Sequence, residues 1–156
     1  METFNEIKQQ SKALFQSASR ETPSETTPPE ITPDVRLFAA QLGNEPPSRI
    51  PVRSDNYGVY GWCSDGVLEK IKHDGGSIVF GWTIWEWPGV LLTGEFHAVW
   101  MDATTTLYDI TPKPHGETSL YLIATADRTS TLIEDRRIGA INCTGRQTSR
   151  KLCQPK

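Results

Sequence analysis

Hydrophobic and polar positions divide this chain into an amphipathic start, a polar break, and a body in which the period switches from helical to alternating. Residues 2–18 place Phe4, Ile7, Leu14 and Phe15 near one helical face, with Lys8, Gln9, Gln10 and Lys12 opposite, which predicts a helix. From Ser19 to Asp34 the chain is rich in Pro, Ser, Thr and Glu and offers nothing to bury, so it reads as a flexible linker. Val35–Leu42 is a short apolar segment ending at Gly43, either a helix or the first strand, and Asn44–Ser54 reads as loop. Ser64–Asp74 returns to helical spacing, with Val67, Leu68 and Ile71 on one face, Asp65 in the first turn and Gly75-Gly76 as the stop. Alternation then takes over in Ser77–Trp87, where Ile78, Phe80, Trp82 and Ile84 share one side and Val79, Thr83, Trp85 and Trp87 the other. Pro88-Gly89 turns the chain. Strands follow at 90–101, 106–111 and 120–124, the first two joined across Asp102–Thr105.

These elements divide the chain into an N-terminal helix at 1–18, a linker at 19–34, an α+β domain at 35–135 and a basic, solvated tail at 136–156. The expected core is one helix packed on an antiparallel sheet of four or five strands, with the N-terminal helix at its periphery.

Three residues stand where thiol chemistry needs them. Cys63 immediately precedes the Ser64–Asp74 helix, where free N–H groups and the helix dipole favour a thiolate. His97 lies mid-strand among Phe96, Ala98 and Trp100, able to take a proton and return it to a leaving amine. Asp109 lies in the next strand, as a carboxylate to fix the imidazole's tautomer and stabilise its cation. The two strands bring His97 and Asp109 to one face only if an odd number of residues forms their loop. Pairing Met101 with Thr105 sets them directly opposite, and pairing Met101 with Leu107 sets them on a diagonal. The backbone N–H of Cys63 is a natural oxyanion donor, with Asn56, Tyr57, Tyr60 and Trp62 just upstream as candidates for a second and for the substrate cleft, together with Trp82. No glutamine lies between Gln41 and Cys63 to donate as in papain. Taken singly, each of the three has a plainer role: a buried thiol, a core histidine, a turn-forming aspartate.

Composition narrows the remaining classes. A net charge of −3 over 156 residues gives no electrostatic reason for nucleic-acid binding. No apolar run approaches the ~20 residues of a membrane helix, and Met1–Glu6 is unlike a secretory signal. Cys63, Cys143 and Cys153 are an odd, widely spaced set, which predicts neither a disulfide framework nor a cysteine metal motif and points to a reducing, cytoplasmic setting. His73, at a helix end, and His115, in a Pro-His-Gly loop, lack partners at ligand spacing, so no metal and no cofactor is expected.

Cys63 before a helix, Gly81-Trp82 in the following strand, His97-Ala98-Val99-Trp100, and Leu107-Tyr108-Asp109-Ile110-Thr111-Pro112 resemble the core of the transglutaminase-like and NlpC/P60-like members of the papain-like cysteine hydrolase superfamily. The likeness spans roughly 57–124. Val99 between Ala98 and Trp100, and Asp-Ile-Thr-Pro in place of Asp-Pro-Thr, depart from the pattern. The strings around Gly81–Pro88 and Phe96–Trp100 also resemble small bacterial proteins without an established activity. The family resemblance implies Cys63 as nucleophile, His97 as general base and acid, and Asp109 as orienting carboxylate, acting on an amide of a protein or peptide as peptidase, glutamine deamidase, transglutaminase or amidase. The competing expectation is a non-catalytic binding or inhibitor module whose N-terminal helix docks a partner. A subordinate variant is an effector delivered into a host cell.

Overall fold

In the computed structural model, residues 1–23, 25–125, 137–142 and 147–148 are described. Helix α1 (Phe4–Ala18) starts at a capping box: the Glu6 N–H donates to the Thr3 hydroxyl, and the Glu6 carboxylate accepts the Thr3 N–H at 2.7 Å. Ile7 and Ser11 are its buried positions, and Phe15 meets Tyr60 edge-on, with ring centroids 5.8 Å apart.

The segment left open between helix and strand is a helix, α2 (Pro33–Leu42). Thr32 accepts the Val35 N–H on its side chain, and Pro33 presets the first turn. Its Val35, Phe38 and Ala39 are buried against Trp82, Ile84, Leu92 and Ile123.

The strands are β1 (Ser48–Pro51), β2 (Ser77–Trp87), β3 (Leu91–Met101), β4 (Leu107–Tyr108) and β5 (Ser119–Ala124). Strand β1, inside the stretch expected to be loop, pairs with β5. Strand β5 pairs with β2, β2 with β3, and β3 with β4, every pair antiparallel. A parallel bridge between Val52 and Asp109, just past β1 and β4, ties the two ends of this path together into a nearly closed barrel. The fold is α+β. Alternation gives β2 and β3 two apolar faces: one carries Trp82, Ile84 and Leu92 to α2, and the other carries Val99 to a second cluster with Ile50, Leu120 and Leu122.

Helix α3 (Cys63–Asp74) begins at the cysteine itself and packs on β3 and β2. Its buried positions are Gly66, Val67 and Lys70; Leu68, expected on the inner face, is largely exposed. Residues 53–62 run back along α3, and two glycines let them do so. A Cβ on Gly58 would overlap the Ile110 carbonyl, and one on Gly66 would press on the Tyr57 carbonyl.

Two segments read as unattached make backbone contacts. Within 19–34, Thr26 exchanges backbone hydrogen bonds with Glu86 at 2.9 and 2.7 Å, and the Thr93 hydroxyl donates to Glu25. Within the tail expected to be solvated, β6 (Arg137–Asn142) pairs with the first half of β3, and β7 (Gln147–Thr148) pairs with β6. Cys143, Cys153 and the other basic residues of that tail lie outside the described residues. Among the described residues no helix is long and apolar enough to cross a membrane.

Candidate active site

The hairpin of β3 and β4 decides whether two of the proposed side chains meet. Met101 pairs with Leu107 and Trp100 with Tyr108, so the loop is residues 102–106, an odd number. Asp102 organises that loop by accepting the N–H groups of Thr104 and Thr106 at 2.9 Å, while Thr105 takes a positive φ of 66°. Extending this register sets Asp109 opposite Val99, one diagonal from His97. The side chains meet there: His97 Nε2 lies 3.1 Å from Asp109 Oδ1. Both are buried, with side-chain exposures of 6% and 0%. The contact is a charge pair rather than a well-aligned hydrogen bond.

Asp109 is fixed from every side. Its backbone N–H donates to the Pro51 carbonyl at 3.0 Å, and its carbonyl accepts the Arg53 N–H at 2.7 Å. Oδ1 also accepts the Thr111 N–H at 2.9 Å, and Oδ2 lies 2.6 Å from the ammonium of Lys113. Lys113 is itself buried, and its ammonium sits 5.8 Å from the Trp85 ring centroid.

The half-buried Cys63 thiol completes the arrangement from the first position of α3. His97 and the Ala98 N–H lie near enough to the sulfur to act on its ionisation. Because Nε2 faces Asp109, Nδ1 is the ring nitrogen left for the thiol. Burial alone would raise the Cys63 pKa. The charge and hydrogen bond of His97 and the Ala98 N–H outweigh it, so the thiol is lowered from its ordinary value, against an opposing push from Glu95. Burial likewise works to keep His97 neutral, but the negative charges of Asp109 and Cys63 prevail over it and over Lys113, and the imidazole pKa is raised. Asp109 is held well below the usual carboxylate range: burial opposes its ionisation, and the cations of His97 and Lys113 more than offset that.

The upstream candidates separate. Trp62 adjoins Cys63 as the N-cap residue of α3, with its backbone N–H on the Val59 carbonyl, and the Tyr60 ring meets Phe15 of α1. Tyr57 turns toward the C-terminal half of α3: its carbonyl lies by Gly66, and its ring stacks on His73 with centroids 5.2 Å apart. The neighbouring Asn56 is exposed at that same far end, where Asp55 pairs with Lys70 at 2.7 Å. Both expectations are corrected by the course of this loop, which reaches Cys63 from the C-terminal end of α3. Trp82 is corrected too. It pairs with Phe96 and is buried against α2, on the face opposite His97, because adjacent strand residues point to opposite sides. Gly81 is the residue across from His97. The face His97 shares continues through Thr83, Trp85 and Glu95. There the Trp85 indole N–H donates to the Glu95 carboxylate at 3.1 Å and to Thr83 at 3.2 Å.

Lys113 and Glu95 were not singled out by the sequence. Glu95 was findable, being two residues from His97 on one strand face. Lys113 was not, because its separation from Asp109 carries meaning only in a helix and this segment is a Pro-Lys-Pro loop. Among the described residues, no group of three or more His, Cys, Asp or Glu side chains could hold a metal ion. Comparison of the chain with protein-family models, with curated proteins and with solved structures finds no match.

Proposed function

We propose that this protein is a thiol-dependent acyl-transfer catalyst acting on an amide of a protein or peptide, with a papain-like arrangement of Cys63, His97 and Asp109. The observation that carries the reading is one buried imidazole set between two acidic groups, with Asp109 Oδ1 3.1 Å from Nε2 and the Cys63 thiol acting on the same ring. A structural histidine has no need of both. The opposed shifts, thiol down and imidazole up, favour a thiolate–imidazolium pair over two neutral groups.

In this mechanism the thiolate adds to the amide carbonyl carbon, and the resulting oxyanion is met by backbone N–H groups at the start of α3, which have no partner within the helix. The C–N bond then breaks as Nδ1 of His97 gives its proton to the leaving amine. This leaves a thioester on Cys63 and a neutral imidazole. Water or a second amine attacks the thioester, His97 takes the attacker's proton, and the carbon–sulfur bond breaks to restore the ion pair. Water gives a hydrolase or deamidase, and an amine gives a transferase. Asp109 keeps its charge throughout, orienting the ring and stabilising its cation.

The test is selective alkylation followed by loss of function. Iodoacetamide at pH 6 should label Cys63 far faster than Cys143 or Cys153. Cys63→Ala should abolish amide turnover and leave the thermal transition unchanged. Equal labelling of all three thiols would leave a non-catalytic binding module as the better reading.

A further inference from the structure

We propose that Lys113 is a positioning residue that sets the acidity of His97 by sharing the Asp109 carboxylate. This rests on the reading of Cys63, His97 and Asp109 as a reacting set. A Cys-His-Asp trio with its ion pair formed carries one net negative charge, which is costly to bury. Here the Lys113 ammonium, 2.6 Å from Oδ2, brings the cluster to neutrality. The two carboxylate oxygens are thereby divided, Oδ1 to the imidazole and Oδ2 to the ammonium.

The placement is built into the chain. Pro112 and Pro114 restrict the backbone on both sides of Lys113, and the Trp85 ring lies beside the ammonium. Lys113 is buried almost as fully as the carboxylate it pairs with, unlike Lys72, whose ion pair lies at the surface. Its chemical effect follows from Coulomb's law. A cation on the far oxygen weakens the pull of the carboxylate on the imidazolium proton, so the ring releases that proton to a leaving amine more readily. The other charge acting on His97 is Cys63 from α3; Glu95, on the same strand face, acts on Cys63, and β2 presents Gly81 across from the ring and adds none. Arg53 reaches Asp109 through its backbone N–H, while its guanidinium lies over Tyr108 at 4.6 Å.

The experiment is a titration of His97 by NMR on the full chain labelled at histidine. It compares wild type with Lys113→Met, Lys113→Gln and Lys113→Arg. Loss of the charge in the Met and Gln variants should raise the His97 midpoint by about one unit, a tenfold weaker acid. Lys113→Arg should keep it near the wild-type value. With an amide substrate, the neutral variants should lose kcat while KM holds. An unmoved midpoint with a lowered melting temperature would overturn the proposal, because Lys113 would then only hold the fold. So would failure of both neutral variants to fold while Lys113→Arg folds. A shifted midpoint in a protein whose thiol proves inert would leave control of His97 by Lys113 standing and remove the acyl-transfer reading instead.

Discussion

His97 and Asp109 meet on a diagonal across the β3–β4 hairpin, two residues from direct opposition, and the register that puts them there is set by the Asp102 loop. A loop one residue shorter or longer would send Asp109 to the other face and leave a buried histidine facing aliphatic neighbours. The contact between His97 and Asp109 therefore depends on a turn several residues from His97.

Asp109→Asn should break this relationship with little change of shape. The asparagine keeps the volume but removes the charge that raises His97 and leaves the Lys113 ammonium buried without a counter-charge. Amide turnover should fall by about 10²–10⁴-fold, by analogy with loss of the orienting carboxylate in other triads. Urea unfolding should show a loss of about 3 kcal/mol for the broken buried pair. Full turnover in this variant would remove Asp109 from the mechanism.

The proposed thiolate–imidazolium pair predicts how alkylation of Cys63 depends on pH. Its thiol is lowered from 9.0, so the rate should begin to rise below that value. The imidazole is raised from 6.5, so loss of its proton, and of the stability that its charge brings, should occur only above that value. Stability contributed by His97 is complete below 6.5 and is lost as pH rises through its raised folded value. Stability contributed by Asp109 is present above 3.8 and is lost as pH falls through its depressed folded value. A labelling profile with one limb near 9, as for a free thiol, would contradict the pair.

Glu95 opposes the thiolate from the next inward position on β3. Glu95→Gln should therefore move the acid limb of the same labelling profile to lower pH and speed alkylation at pH 6 several-fold, leaving the melting temperature nearly unchanged. A slower reaction would mean that the Trp85–Glu95 hydrogen bond matters more for shaping the site than for its field.

Trp82 separates packing from chemistry. It is 8% exposed in the cluster facing α2, so Trp82→Ala should cost roughly 3–5 kcal/mol in urea unfolding. Alkylation of Cys63 in the folded fraction should stay at the wild-type rate. A change in that rate would place Trp82 nearer the thiol than its strand face allows.

Local pattern carried a definite share of this fold. Capping chemistry and apolar spacing mark α1 and α3, and the two-residue period of Ser77–Trp87 separates the face of Trp82 and Ile84 from that of Val79, Thr83 and Trp85, because both periods are properties of the backbone alone. The order Cys63, His97, Asp109, with a helix start followed by two strands, is also written in the chain. What local pattern left open was every relation that crosses the chain: which of two odd registers the hairpin takes, whether Val35–Leu42 is helix or strand, and that Thr26 and Arg137–Asn142 attach to the sheet. The neighbours of Cys63, His97 and Asp109 belong to the same class. Lys113 finds Asp109, and Tyr57 leaves Cys63 for His73, because closing the barrel and folding the 53–62 loop back along α3 fix distances that spacing does not encode. A period assigns a side chain to a face, but only the packing of one element on another decides what stands across from it.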